Sequence, residues 1–170
     1  MKKKILFALL SLASVAVGAQ ENPLWMRYPA ISPDGKLIAF AYKGDIFTVD
    51  SNGGQARQLT TNPAYDYMPV WSPDGSQIAF ASNREGSFDV YVVEAKGGTP
   101  RRLTTNSSKE LPVAWKDNSH VLFQTALLPS AESIVFSGSY SQVYEADLNG
   151  HRPTMFPTLQ TENLSLHPHG

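Results

Sequence analysis

The chain carries four histidines, fifteen acidic residues and no cysteine, and any acid–base, nucleophilic or metal chemistry would have to be assembled from these and its serines. His167 and His169 form a His-x-His pair of the kind that can hold a metal ion, but no second cluster completes a tetrahedral site. His120 follows a predicted hairpin turn and His151 a Leu-Asn-Gly turn, positions where an exposed polar side chain is expected. Gly138-Ser139-Tyr140-Ser141 is only superficially like a nucleophile elbow, and there is no Gly-x-Ser-x-Gly or phosphate-cradling glycine loop. Asn106-Ser107-Ser108 and Asn163-Leu164-Ser165 have the form of glycosylation acceptors, triplets that also arise often by chance. Asp34 and Asp74 suggest calcium or paired-carboxylate chemistry until their neighbours are read: each is the centre of a Pro-Asp-Gly turn, and turn chemistry accounts for both. No catalytic, cofactor-binding or metal-ligating residue is assigned, and no cofactor is expected.

The elements that would position any of these groups are repeats. Val70 to Asn106 holds four short apolar or β-branched runs separated by Pro73-Asp74-Gly75, by Asn83 to Ser87 and by Lys96-Gly97-Gly98, the pattern of four antiparallel strands joined by short loops. Ile31 to Phe40 matches Trp71 to Phe80 at an offset of 40 residues, and Asp45 to Asn62 matches Asp89 to Asn106 at an offset of 44. A third copy runs from Trp115 through Val121-Leu122-Phe123 and Val143-Tyr144 to Leu148-Asn149-Gly150. Self-similarity near 40 residues with four strands per unit predicts a β-propeller. The fold expected is all-β, a partial propeller of three four-stranded antiparallel blades plus the start of a fourth.

The turns carry a mechanical reading. Pro33 and Pro73 preset φ, Asp34 and Asp74 bond local backbone, and Gly35 and Gly75 take the left-handed position that closes the hairpin. In the third copy the turn Lys116-Asp117-Asn118 is one residue shorter, and Asn118 is expected to take the left-handed position in place of glycine. Pro29 and Pro69 lack a ladder donor and are expected at the start or edge of a strand. Ile78-Ala79-Phe80-Ala81 and Val90-Tyr91-Val92-Val93 have no polar face, which predicts strands covered on both sides by neighbouring blades. Gln124 to Ser141 is an insertion between the second and third strands of the third copy. Its Leu127, Leu128, Ile134, Val135 and Phe136 are expected to cap a neighbouring blade's edge, with a binding face as the other reading.

Residues 1–19 combine Lys2-Lys3-Lys4, an apolar run and Val17-Gly18-Ala19, the form of a cleaved secretory signal. The expected layout is then lead-in 20–26, first blade 27–66, second 67–110, third 111–161 and the start of a fourth at 162–170, where Leu166-His167-Pro168-His169-Gly170 stands in the first turn of the repeat. A closed ring takes four to eight blades, so the chain is expected to be the N-terminal part of a longer, exported, periplasmic or extracellular protein. Without the signal lysines the charge is about −4 by simple counting, which argues against nucleic acid or an anionic membrane as partner. The basic pair Arg101-Arg102 is expected to be a solvated outer-strand pair.

The Trp-Ser-Pro-Asp-Gly…Ile-Ala-Phe…Asp-Val-Tyr…Gly-Gly…Arg-Leu-Thr pattern resembles the WD40-like Pro-Asp repeats of tricorn-type proteases, of TolB and of some prolyl-oligopeptidase-family enzymes. The lead-in Pro23 to Gly35, and Ser141-Gln142-Val143-Tyr144 after a long insertion, are most similar to exported bacterial tricorn homologues. That resemblance implies a propeller that filters peptides for a serine-peptidase core using Ser, His and Glu, none of which any position here matches. It implies peptides or proteins, further blades and a catalytic domain as partners, and possible assembly into a homo-oligomer. The alternatives are a TolB-like periplasmic scaffold without enzymatic activity and the propeller of a prolyl-oligopeptidase-like hydrolase.

Overall fold

The apolar runs that lack a polar face become the middle strands of three sheets. The computed structural model describes residues 25–125 and 141–156. The first sheet comprises β1 (Arg27–Ile31), β2 (Leu37–Tyr42), β3 (Asp45–Asp50) and β4 (Arg57–Gln58). The second comprises β5 (Asp66–Trp71), β6 (Gln77–Glu85), β7 (Ser87–Glu94) and β8 (Arg101–Arg102). The third comprises β9 (Glu110–Asp117), β10 (His120–Thr125), β11 (Gln142–Asp147) and β12 (Thr154–Met155). Each sheet is antiparallel with its strands in sequence order, so the chain is an all-β partial propeller. The expected signal, most of the insertion and the start of the fourth repeat lie outside the described residues.

The core sits between sheets rather than within one. Ile78, Ala79, Phe80 and Ala81 on β6 are fully buried, and Val90 to Val93 on β7 are at most 5% exposed. Alternate side chains of these strands serve opposite neighbours. Ile78, Phe80, Tyr91 and Val93 pack with Ile46 and Leu59 of the first sheet, while Ala79, Val90 and Val92 pack with Val121 and Phe123 of the third. Two repeated links bolt neighbours together. Trp71 Nε1 donates to the Ala30 carbonyl at 2.9 Å, and Trp115 Nε1 donates to the Val70 carbonyl at 3.0 Å. On the outer edge, Arg57 donates to the Ala95 carbonyl at 2.6 Å and Arg101 to that of Leu148.

Three expectations are corrected. Asn118 is not among the residues with positive φ. The loop from Asp117 to His120 is only two residues long, Lys116 absorbs the lost register, and Asn118 Oδ1 instead accepts the Asp74 N–H of the neighbouring blade at 3.0 Å. Pro29 and Pro69 are on edge strands, as expected. They sit inside bulges of β1 and β5, where the ladder skips and needs no donor. Arg101 and Arg102 are not a merely solvated pair, since Arg101 forms the interblade link above and Arg102 donates to Asp89 Oδ2 at 2.8 Å. The segment Asn83 to Ser87 also differs: β6 and β7 continue almost to Gly86, extending the ladder far enough for Arg84 to reach Asp66 on β5.

Candidate binding surface

Antiparallel sheets place alternate connections on opposite sides, so the first turns of all three blades share one side. There Asp34 Oδ1 accepts from Ser32 Oγ at 2.7 Å and from the Lys36 N–H at 3.1 Å. Asp74 Oδ1 likewise accepts from Ser72 Oγ at 2.7 Å and from the Ser76 N–H and Oγ at 2.9 and 2.8 Å. These bonds hold both carboxyls below the ordinary carboxylate range, the Ser32 hydroxyl leading for Asp34 and the Ser76 N–H for Asp74. Gly35 and Gly75 have φ of 72° and 70°, a region that costs a residue with a Cβ about 1–2 kcal/mol. Pro33 and Pro73 line one cleft of about 370 Å³ between the two turns, with Trp71 behind. Asp117 repeats the device: burial would raise its carboxyl, but bonds from His120 and Ser119 outweigh it and hold it at about 2. His120 and His151 each sit on a turn carboxylate, Asp117 and Asp147 respectively. His167, His169 and the Gly138-Ser139-Tyr140 segment lie outside the described residues. Among the described residues no three His, Asp or Glu side chains converge as metal ligands would.

The innermost strands β1, β5 and β9 lie side by side and form a wall. Tyr28 and Met68, each immediately before a bulge proline, both have φ of 54°, a conformation that costs a non-glycine residue on the order of 1–3 kcal/mol. A groove of about 320 Å³ crosses the wall and is lined by Tyr28, Pro29, Met68, Pro69, Leu111 and Pro112 among others. Beside it an aromatic cluster draws on two blades: Tyr67 lies 5.4 Å from Tyr28, 5.5 Å from Tyr65 and 5.0 Å from Phe88 between ring centroids. Lys109 stands over Tyr67 and Phe88 at 5.7 and 5.5 Å. Tyr28 and Tyr65 remain 43% and 42% exposed, so part of the cluster faces outward.

Behind the wall lies a layer of acids that local sequence reading does not single out. Asp66, Asp89 and Glu110 are at most 2% exposed. Between the first two sheets, Asp45 is bonded by Gln58 and Thr60, while Asp66 Oδ2 is paired with Arg84 at 2.9 Å. Between the second and third, Asp89 Oδ2 is paired with Arg102 at 2.8 Å. In both interfaces a threonine, Thr60 or Thr104, also accepts a backbone N–H of the third strand at 2.9 Å. The recurrence of Asp45…Thr60…Asp66 as Asp89…Thr104…Glu110 at one offset was the available signal. It carried no hint of burial, which depends on the neighbouring blade.

Burial is the leading cause that raises both Asp89 and Glu110 above their ordinary values; on Glu110 bonds from Thr104 and the Asn106 N–H oppose it and the Asp89 carboxyl adds to it, while Arg102 opposes it on Asp89. For Glu110 the ordinary value is 4.5. A raised acid favours the folded state fully below its unfolded value, and that contribution is lost as pH rises through the folded value. Glu110→Gln is therefore expected to raise the melting temperature at pH 8 and leave it nearly unchanged at pH 4. Equal effects at both pH values would refute the charge burial.

A family model described as the tricorn protease N-terminal beta propeller domain matches residues 23–170. The chain belongs to that family. Among solved structures, the tricorn propeller described here is similar to a protein assigned as TolB from Agrobacterium tumefaciens, with 25% identity and a TM-score of 0.62 over 77% of this chain and 46% of the other. TolB from Acinetobacter baumannii is 26% identical with a TM-score of 0.59, over 76% and 31% of the two chains. The tricorn protease shares the fold at 19% identity and a TM-score of 0.56, over 76% and 14%. The chain thus spans less than half the length of each of these proteins. Comparison with curated proteins gives no match. Among the described residues no helix of this propeller is long and apolar enough to cross a membrane.

Proposed function

We propose that this propeller binds and gates peptides for a serine-type peptidase domain of the same protein, exported by the signal at residues 1–19. The observation that carries the reading is membership of the tricorn propeller family over 23–170. The inner wall supports it: a groove edged by prolines and a half-exposed aromatic cluster offers apolar contact and ring faces to an extended chain. Fold alone does not establish function, so the test is kinetic. In the intact protein, Met68→Glu is expected to lower kcat/KM at least fivefold for peptides of ten or more residues and leave a short fluorogenic substrate unaffected. An equal effect on both substrates, or none on either, would remove the gating role. The likeness to two TolB structures favours a second reading, a protein-binding scaffold without peptidase chemistry. Absence of any peptidase activity in the intact protein would select it.

A further inference from the structure

The two blade interfaces are built on one frame: Arg84 of the first has no counterpart in the second, and Gln58 of the first is replaced there by Arg102. Between the first two sheets, Arg84 donates to Asp66 Oδ2 and to Ser82 Oγ, each at 2.9 Å. Its guanidinium lies 4.5 Å from the Tyr91 ring centroid and 5.6 Å from that of Phe80. The frame recurs between the second and third sheets. Asp66 pairs with Ser82 across β5 and β6, and Glu110 pairs with Thr125 across β9 and β10. Phe80 and Tyr91 are cross-strand partners with ring centroids 6.0 Å apart and planes 30° apart, and Phe123 and Tyr144 repeat this at 5.9 Å and 29°. The acceptor, the hydroxyl and the ring platform are all reproduced.

The arginine is not. Counting two residues on from Thr125, as Arg84 follows Ser82, the sequence has Leu127, and residues 126–141 and 157–170 contain neither lysine nor arginine. Among the described residues, the cations found over rings stand over neither Phe123 nor Tyr144. Arg102 does not substitute, because its Nε donates to the Thr104 carbonyl at 2.9 Å and its terminal nitrogen to Asp89. Glu110 and Thr125 are each only 2% exposed, yet among the described residues Glu110 Oε2 and Thr125 Oγ1 have no hydrogen-bond partner, as is also true of Asp66 Oδ1 and Asp89 Oδ1. An unpaired buried acceptor is costly, and few are found without a reason. A cleft of about 960 Å³ is walled by Glu110, Phe123, Tyr144, His151, Arg152 and Arg102 among others, the last held by Asp89 and the Thr104 carbonyl.

We propose that this cleft binds the guanidinium group of an arginine side chain in a peptide, laid against the Phe123–Tyr144 rings with its N–H donors toward Glu110. A planar cation with fixed donors suits both a carboxylate and ring faces. The assignment stands on the internal repeat and is independent of the role given to the inner wall.

The test is calorimetric titration of the intact protein with Nα-acetyl-arginine amide, with its citrulline counterpart, and with a pentapeptide carrying arginine at its centre. Citrulline keeps the shape and removes the charge. Saturable binding of the arginine amide is expected, at least tenfold tighter than citrulline and lost in Glu110→Gln. Asp50→Asn, on an exposed turn, is expected to bind as the unsubstituted protein does. The proposal is overturned if arginine and citrulline bind alike or if Glu110→Gln binds undiminished. Binding that emerges only in Arg152→Ala would make the chain's own Arg152 the occupant and also overturn it. A pentapeptide no tighter than the arginine amide would overturn the peptide as source.

Discussion

Arg84→Ala is expected to destabilise the propeller by about 3–5 kcal/mol, the cost of leaving a buried charge without its partner. Asp66 is fully buried and the Arg84 side chain is only 12% exposed, so neither water nor salt can replace the lost pair. The same substitution strips a cation from the rings of Phe80 and Tyr91 and a donor from Ser82. Urea unfolding measures the effect. Adding Asp66→Asn in the same chain is expected to recover a good part of the loss, because the uncompensated charge is gone. If the single variant unfolds within about 1 kcal/mol of the parent, in the range of a surface pair, Arg84 does not hold this interface. The exposed Lys36–Asp34 pair is the contrast, and Lys36→Ala, which removes it and leaves the Asp34 turn bonds in place, is expected to have no measurable effect.

The second large effect is expected at the tryptophan bolts. Trp115→Ala is expected to cost about 3–5 kcal/mol, as for other large core aromatics truncated to alanine. Trp115 is 7% exposed and belongs to the cluster joining the second and third sheets. Trp115→Phe separates the two contributions: the ring stays and only the bond to the Val70 carbonyl is lost, a change of about 1 kcal/mol. A phenylalanine variant as unstable as the alanine variant would show that the bond, not the packing, carries the interface. The equivalent position in the first blade is Ile31, 64% exposed. Among the described residues no sheet precedes β1 to receive a bolt there.

These two sites show what the propeller asks of its repeats. The middle strands of each blade are buried by what the neighbouring blades place against them. The guanidinium cleft follows from the same logic. A repeat that keeps the acid, hydroxyl and rings but loses the arginine keeps the demand for a cation.

The blades are legible in local residue patterns alone. Period, strand number, the turns at Pro33-Asp34-Gly35 and Pro73-Asp74-Gly75, and the double-sided burial of β6 and β7 follow from local chemistry. A Pro-Asp-Gly turn is decided by residues within five positions of one another, and a run such as Val90 to Val93 admits no solvent-facing side. Tertiary structure decided what happens between blades. Trp71 reaches a carbonyl 41 residues away, Asn118 an amide 44 residues away and Arg101 a carbonyl 47 residues away. At such separations no spacing rule says which partner is met, so local reading gives Asn118 a role in its own turn and misses its bond to the turn of the preceding blade. Asp66, Asp89 and Glu110 read alone are ordinary polar residues at strand ends. They become buried acids only when a second sheet closes over them and excludes water, and that exclusion gives Arg84 and Arg102 their weight.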